Sequence, residues 1–309
     1  MIQVSVIVPI YNGEADLPDL LVCLARQTIA SERVEYLLVD NNSRDRTAAI
    51  LAQAASDFAA QGWLLRPLRA DQIQSSYAGR NVGIRAAQGE ILVFTDVDCR
   101  PQSDWLTRLI EPFQDSMLTL VVGEVVALPG DSWLEQYAEA QATLSQRHTL
   151  NHPFCPYGQT ANLAIRRPMF QEIGLFRPYL TTGGDADICW RLLHNTERSY
   201  AFVPEAIVQH RHRTSLTELR KQWQRYGRSN RYLHVLYGVP LMRSLTLKET
   251  LYRLARWLLK EVPVGLWRRD RLKLVTTPLD LLTFHSRTQG QHHAQFTEAM
   301  AMIPHWSEL

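Results

Sequence analysis

The sequence predicts an α/β fold, a Rossmann-like, mostly parallel sheet flanked by helices, with a basic helical extension at the C-terminal end. Three observations predict it. Apolar β-branched runs alternate with helical segments through the first hundred residues. Polar residues gather where successive runs end. Basic residues then concentrate late in the chain, after the alternation has stopped.

Each element follows from its pattern. Val4–Pro9 (VSVIVP) reads as a first strand. Leu17–Gln27 has helical spacing, with Pro18 suited to a first turn. Val34–Val39 is a second strand, and the Ala-rich Thr47–Gln61 a long helix. A weaker strand lies around Trp63–Leu68, then a helix over Tyr77–Gln88. Glu90–Thr95 (EILVFT) reads as a strand buried on both faces. A helix over Trp105–Phe113, a strand over Leu118–Val126 and a helix over Ser132–Leu150 follow. Residues 151–165 are loop and strand, with a short helix around Pro168–Ile173. Gly183-Gly184 breaks the chain before a helix over Asp185–His194, and Ala201–Val208 is a last strand. The pattern is then helical and basic, with a boundary near Thr214.

The balance of 33 basic against 31 acidic side chains hides a split. Residues 211–273 hold 16 Lys/Arg against 4 Asp/Glu, and the remainder 17 against 27. An acidic body therefore precedes a basic segment. A hydrophobic content of 46% fits a folded chain and excludes a disordered one. The four cysteines are far apart with no CxxC pair, which argues against a disulfide framework or a cysteine zinc site and for a reducing cytosol. The first apolar run lacks a basic lead, so it reads as a strand and not a signal peptide. No window approaches the ~18 uninterrupted apolar residues of a spanning helix.

In a parallel sheet of this kind the ligand lies beyond the carboxyl ends of the strands. Tyr11-Asn12, Asp40, and Asp96 with Asp98 follow three predicted strands. Two carboxylates spaced as Asp96-Val97-Asp98 offer hard oxygen ligands to Mg²⁺ or Mn²⁺, although a pair of aspartates after a strand is also a common solvated turn. Here they end a strongly apolar strand, which favours the metal. Arg80-Asn81-Val82-Gly83 either reaches a diphosphate, with Gly83 allowing close backbone approach, or forms an exposed first helical turn. Asp40 suits a base N–H or a ribose hydroxyl, whereas Asp45 suits a helix N-cap. Asp185 stands where a loop becomes a helix and is either an exposed general base or a cap. Asp187 and Arg191 are spaced for a helix salt bridge. His210 and His212 share one face of an extended segment, where a histidine either completes a metal shell or serves structure.

Taken in order, VSVIVPIYNGE, LLVDNNSRDRT, AGRNVGIRAAQGEILVFTDVDC and TGGDADICWRL resemble the family 2 glycosyltransferases with the GT-A fold. The resemblance covers about residues 1–215. It implies a GT-A catalytic domain over 1–214, with a nucleotide-sugar half of about 1–100 and an acceptor half of about 101–214. Residues 215–309 are left as a basic helical extension and tail. It implies an inverting, metal-dependent hexosyltransferase that uses a nucleotide-sugar and Mn²⁺ or Mg²⁺. Pro9, Tyr11 and Glu14 would border the base, Asp40 would bind base or ribose, and Arg80 nucleotide or diphosphate. Asp96 would face ribose and metal, Asp98 would hold the metal, and His210 would join its shell. Asp185 matches the catalytic base. Asp187 and Trp190 fall on the acceptor side with Gly184, the one departure: the family usually has Glu there. Asp40 and Tyr11 favour uracil, hence a UDP-sugar.

In the basic segment, Thr217–Tyr232 and Thr246–Arg269 read as helices, the second broken near Pro263 and Gly265. Leu247, Leu251, Leu254, Leu258 and Val262 step by three or four into an apolar stripe beside Trp257, Trp267 and several cations. This suits a helix in an anionic membrane interface or one packed on the catalytic domain. Gln222-x-x-Arg225-Tyr226 resembles the Gln-x-x-Arg-Trp motif of processive synthases, placing Arg225 on the acceptor side, but its Tyr and the lack of spanning helices favour non-processive transfer. Residues 286–309 read as a polar, flexible tail. The sequence thus predicts a cytoplasmic enzyme, peripheral on the cytoplasmic face of a membrane, that builds a surface polysaccharide or glycolipid on a saccharide or lipid-linked acceptor. The alternative is an inactive nucleotide-sugar-binding scaffold at the membrane. Nucleic acid is not an expected partner, since a Leu and Trp stripe does not track phosphates.

Overall fold

The computed structural model describes residues 2–306. The chain divides into two compact units. One takes in the chain up to Val126, Leu144–Arg211 and the segment from Glu298; the other takes in Ala127–Thr143 and His212–Thr297.

In chain order, β1 (Val4–Ile10), α1 (Leu17–Ala25), β2 (Val34–Asp40), α2 (Thr47–Ala60), β3 (Leu64–Arg69), α3 (Ser76–Ala86) and β4 (Ile91–Phe94) form the alternating first part. β5 (Cys99–Pro101), α4 (Trp105–Ile110) and β6 (Leu118–Ala127) follow, then α5 (Trp133–Ala140) of the second unit. α6 (Gln146–Leu150), β7 (Leu163–Arg166), α7 (Met169–Ile173), α8 (Gly184–Leu193) and β8 (Ser199–His210) complete the first unit's larger part. The second unit continues with α9 (Leu216–Tyr237), α10 (Leu247–Arg256), a π-turn over Trp257–Glu261, α11 (Val262–Arg268) and α12 (Arg271–His293). A short α13 (Glu298–Ala301) returns to the first.

The eight strands form one sheet in the order β3-β2-β1-β4-β7-β6-β8-β5. β3, β2, β1 and β4 pair in parallel, while β4–β7, β6–β7 and β5–β8 are antiparallel. The sheet is therefore mixed, and these parallel pairs belong to the first part of the chain. β1 and β2 are buried along their whole length, which matches their largely apolar runs. Glu35 is an apparent exception inside β2. Its carboxylate accepts from the Ser5 hydroxyl at 2.6 Å and pairs with Arg66 at 2.7 Å, so a buried charge is fully partnered.

The chain passes from β1 outward through β2 to β3, then crosses back to place β4 on the other side of β1. A crevice opens at such a reversal, beyond the carboxyl ends of the strands. Helix α3 lies close over β1 because Gly79 and Gly83 share one face. A Cβ on Gly79 would meet Pro9 at 3.1 Å, and one on Gly83 would meet Ile7 at 2.5 Å. Gly83 thus serves helix-to-sheet packing rather than approach to a ligand.

Several boundaries differ from expectation. The helix expected over Ser132–Leu150 is two helices, because Ala142 takes a left-handed φ of 46° and Ser145 caps a fresh start at Gln146, its hydroxyl accepting from the Arg147 N–H. Pro263 does not break the second basic helix. It sits in the first turn of α11, where a missing N–H costs little, and the π-turn before it makes the interruption. The expected tail is ordered over most of its length. Residues 286–293 belong to α12, and the Leu175 N–H donates to the Pro304 carbonyl at 2.9 Å. Residues 307–309 of that expectation lie outside the described residues.

In the second unit, α9 and α12 pack as a helix pair. Their backbones touch at two glycines: a Cβ on Gly227 would meet the Arg287 carbonyl, and one on Gly290 the Gln224 carbonyl. Leu134, Tyr137, Leu219 and Leu279 form its small buried core.

Candidate active site

Tyr11, Asp40 and Asp96 follow or end the adjacent parallel strands β1, β2 and β4. Tyr11 is 50% exposed, an aromatic face offered to solvent just past β1. Asp40 is held by the Ser43 N–H, which donates to its Oδ1 at 3.0 Å. Pro9 is buried against α3. Glu14 accepts from the Arg46 N–H at 2.9 Å, so its carboxylate already has a partner. Burial raises the Asp45 carboxyl, but the bonds it accepts from the Thr47 hydroxyl, the Glu14 N–H and the Thr47 N–H together outweigh this and hold it low.

Arg80 rises from α3 and is almost fully buried. Its guanidinium donates to Asp96 Oδ1 at 2.6 Å and lies 5.5 Å from the centre of the Tyr77 ring. The Arg80 Nε is buried without a hydrogen-bond partner. Asp96, the partner of that guanidinium, is partly exposed.

Asp98 and His210 meet because β5 and β8 pair antiparallel, with Cys99 opposite His210. Arg100 on β5 holds Asp16 at 3.0 Å, and Arg211 also pairs with Asp16, which ties this strand pair to α1. His210 Nε2 lies 3.3 Å from Asp98 Oδ1, and its Nδ1 lies 2.8 Å from the Arg211 carbonyl. A carbonyl only accepts, so Nδ1 donates there, which leaves Nε2 facing the Asp98 carboxylate. Ligands on neighbouring positions of an octahedral ion, with bonds of about 2.1 Å, stand roughly 3 Å apart. The pair fits a divalent metal. Cys99 completes a cluster of potential ligands with them, but burial pushes its thiol well up, with Asp96 and Asp98 adding to the shift, so it stays protonated.

Asp185 stands in the first turn of α8. Its Oδ1 accepts from the Thr160 hydroxyl at 2.9 Å. Burial raises its carboxyl above the usual range; Arg80 opposes the shift, Asp96 adds to it, and the Thr160 bond opposes it. Asp185, Arg80 and Asp96 are therefore brought within electrostatic reach of one another. A carboxylate with a raised pKa is tuned toward accepting a proton.

Two residues missed from the sequence complete the site. Thr160 precedes β7 in a loop without periodicity, so nothing local pointed to it. Tyr77 precedes Arg80 by one helical turn, which is a readable signal. Its hydroxyl accepts from the Gly184 N–H at 2.9 Å, and its ring stacks on Phe176 at 5.6 Å. A Cβ on Gly184 would fall 2.6 Å from the Tyr77 ring. The ring thus occupies the room that a side chain at 184 would need.

The expected acceptor side is corrected at two positions. Asp187 is fully buried between Arg177 at 2.8 Å and Arg191 at 2.9 Å. Trp190 is also buried, its indole N–H donating to the Cys155 carbonyl at 2.8 Å. Both serve packing and present no polar atom to an acceptor. Arg225 is exposed on α9 of the second unit.

The mixed sheet with its flanking helices, the switch point at β1 and the carboxylates beyond it define a GT-A transferase. The chain belongs to glycosyltransferase family 2, whose model, described as Glycosyl transferase family 2, matches residues 5–174. It is 30% identical over 269 residues to the glycosyltransferase AglE of Haloferax volcanii, covering 83% of this chain and 80% of that protein. It is 27% identical over 275 residues to the pre-mycofactocin glycosyltransferase of Mycobacterium tuberculosis, covering 86% of this chain and 54% of that protein, so the chain spans about half of that relative. Among solved structures, the mannosyltransferase PcManGT from Pyrobaculum calidifontis, in complex with GDP-Man and Mn²⁺, shares the fold. Its TM-score is 0.58 at 17% identity, over 97% of this chain and 77% of that one.

Proposed function

We propose that the protein is an inverting, non-processive glycosyltransferase that moves a sugar from a nucleotide-sugar to a hydroxyl of a saccharide or lipid-linked acceptor, in surface polysaccharide or glycolipid synthesis. The observation that carries this is Asp185, whose carboxyl is raised by burial within reach of the Arg80–Asp96 pair. A hydroxyl is a weak nucleophile, so its proton must leave as it attacks the anomeric carbon. Asp185 takes that proton at its carboxylate, with Thr160 fixing the orientation. Arg80 sits on the side of Asp96 and binds the departing diphosphate through the guanidinium that now holds Asp96. A base and an anion-binding group on opposite sides of the sugar favour inversion.

Asp98 and His210, with Asp96 beside them, would hold Mn²⁺ or Mg²⁺, which supplies charge neutralisation at the diphosphate. Tyr11 and Asp40 would bind the base and ribose, with a UDP-sugar favoured because an aspartate accepts from the uracil N–H. Gly184 favours the alternative of an inactive scaffold. Against it stands Tyr77, whose hydroxyl and ring fill that position and leave Asp185 in place. The protein would act at the cytoplasmic face of a membrane, where lipid-linked acceptors are met.

A donor-hydrolysis screen of UDP-, GDP- and dTDP-sugars with Mn²⁺ and Mg²⁺ tests the reading. Turnover of one donor class, lost in Asp185→Asn, is the expected result. Tight nucleotide-sugar binding with no turnover of any donor, with or without acceptor extracts, would favour the scaffold.

A further inference from the structure

Helices α10 and α11 of the second unit face the wrong way for water. A surface helix of a soluble domain turns its apolar stripe inward. Here the side of α10 turned to α12 is mostly polar. A cavity of about 430 Å³ lies there, lined by Glu249, Arg253, Arg256, Glu261, Thr277 and Asp280, with Tyr252 and Leu281. The Thr277 hydroxyl donates to Glu261 at 2.6 Å, and the Trp257 indole N–H donates to the Leu274 carbonyl at 2.9 Å. These bonds anchor the helix by its polar side.

The apolar side is left outward. Leu247 is 75% exposed and Leu251, Leu254 and Leu258 are exposed along the same stripe. The π-turn over Trp257–Glu261 adds about one residue to its turn, which brings Leu266 back into line with Leu258. Leu266 is exposed, and Trp267 at 82% exposure lies next to it. A contiguous stripe of this kind marks a docking face.

We propose that this face docks on an anionic lipid bilayer, with α10 and α11 lying in its interface. Lys248, Lys260, Arg268 and Arg269 are all exposed around the stripe. Two of the nearby acids are paired, Glu249 with Arg243 at 2.8 Å and Glu261 with Arg256 at 3.3 Å, and the third, Asp270, caps α12 by accepting from the Lys273 N–H at 3.0 Å, one negative charge among four cations. The uncompensated charge is therefore positive, and its complement is an anionic surface. A second copy is disfavoured, since pairing this face with itself would bring two strongly basic segments together. Among the described residues no helix is long and apolar enough to cross a membrane, so the contact is interfacial. The inference specifies the surface for the membrane placement proposed above and does not depend on the transfer chemistry.

Vesicle flotation of the full chain tests it, using phosphatidylcholine vesicles and vesicles enriched in phosphatidylglycerol. The wild type floats with the anionic vesicles, less so at high salt, and stays down with neutral ones. The triple variant Leu251→Ser, Leu258→Ser, Trp267→Ser loses at least about tenfold in partitioning while its circular dichroism and melting temperature stay unchanged. The variant Lys248→Gln, Lys260→Gln, Arg268→Gln floats less with anionic vesicles, and its remaining flotation depends less on salt. Flotation of the triple variant equal to wild type overturns the proposal. So does a wild type that ignores both vesicle types, or one that is dimeric in light scattering and becomes monomeric in the triple variant.

Discussion

The Gly184 N–H donates to the Tyr77 hydroxyl at 2.9 Å, and the ring behind that hydroxyl stands where a side chain at 184 would have to go. One residue thus ties the first turn of α8, which carries Asp185, to α3, which carries Arg80. The stack on Phe176 fixes the ring and is worth about 0.5–1.5 kcal/mol beyond burial.

Restoring the family's glutamate is therefore expected to harm the protein. Gly184→Glu alone drives its side chain into a fixed ring, a cost of about 1–3 kcal/mol in stability with loss of turnover. Tyr77→Ala alone opens the site. The double variant should recover part of both losses. A thermal-melt and activity double-mutant cycle measures the coupling, and strictly additive losses would count against the pairing.

Asp185 gives a prediction with a sign. Its folded pKa lies above the unfolded one, so the folded state binds more protons in that window, and stability falls as pH rises through it. Asp185→Asn removes that penalty. The variant should melt higher than wild type at neutral pH, and the difference should vanish below the unfolded aspartate range. Transfer by the wild type should show an acid limb displaced upward from that of an ordinary aspartate. Equal melting curves at every pH would remove the burial argument.

The carboxylates of Asp187 and Asp98 should separate cleanly. Asp187→Asn breaks a buried pair of ion pairs and should cost about 3–5 kcal/mol, read as a lowered melting temperature. Asp98→Ala should melt nearly as wild type yet lose metal-stimulated turnover. His210→Gln should raise the Mn²⁺ concentration needed for half-maximal activity about 10–100-fold. Full activity of Asp98→Ala in excess chelator would count against the metal site.

Arg80 is buried with an orphan Nε, so Arg80→Lys is not a conservative change. It should weaken nucleotide diphosphate binding by about tenfold or more while leaving free nucleoside binding nearly unaltered. Isothermal titration with both ligands reads this, and an equal loss for both would point to a folding defect.

Much of this was legible in the sequence, for identifiable reasons. β1, β2 and β4 are predominantly apolar runs, so their ends and the polar residues Tyr11, Asp40 and Asp96 could be read directly. The site's supports could not. Thr160 sits in a loop with no period, and β5 is three residues long. Asp187 and Trp190 look like acceptor contacts in the motif, yet the turn of α8 points them into the core, because 187 and 190 are one turn apart on its buried face. The apolar stripe at 247–258 was plain from spacing, but spacing cannot say which way a stripe faces.

In the proposed reaction Asp185 takes the acceptor's proton and does not build the donor site. Nucleotide-sugar affinity and transfer rate, measured on one preparation of Asp185→Asn, separate the two roles. Affinity within about twofold of wild type with a transfer rate lowered 10²–10⁴-fold is the predicted result. Comparable turnover by that variant, or loss of donor binding in step with turnover, would contradict it.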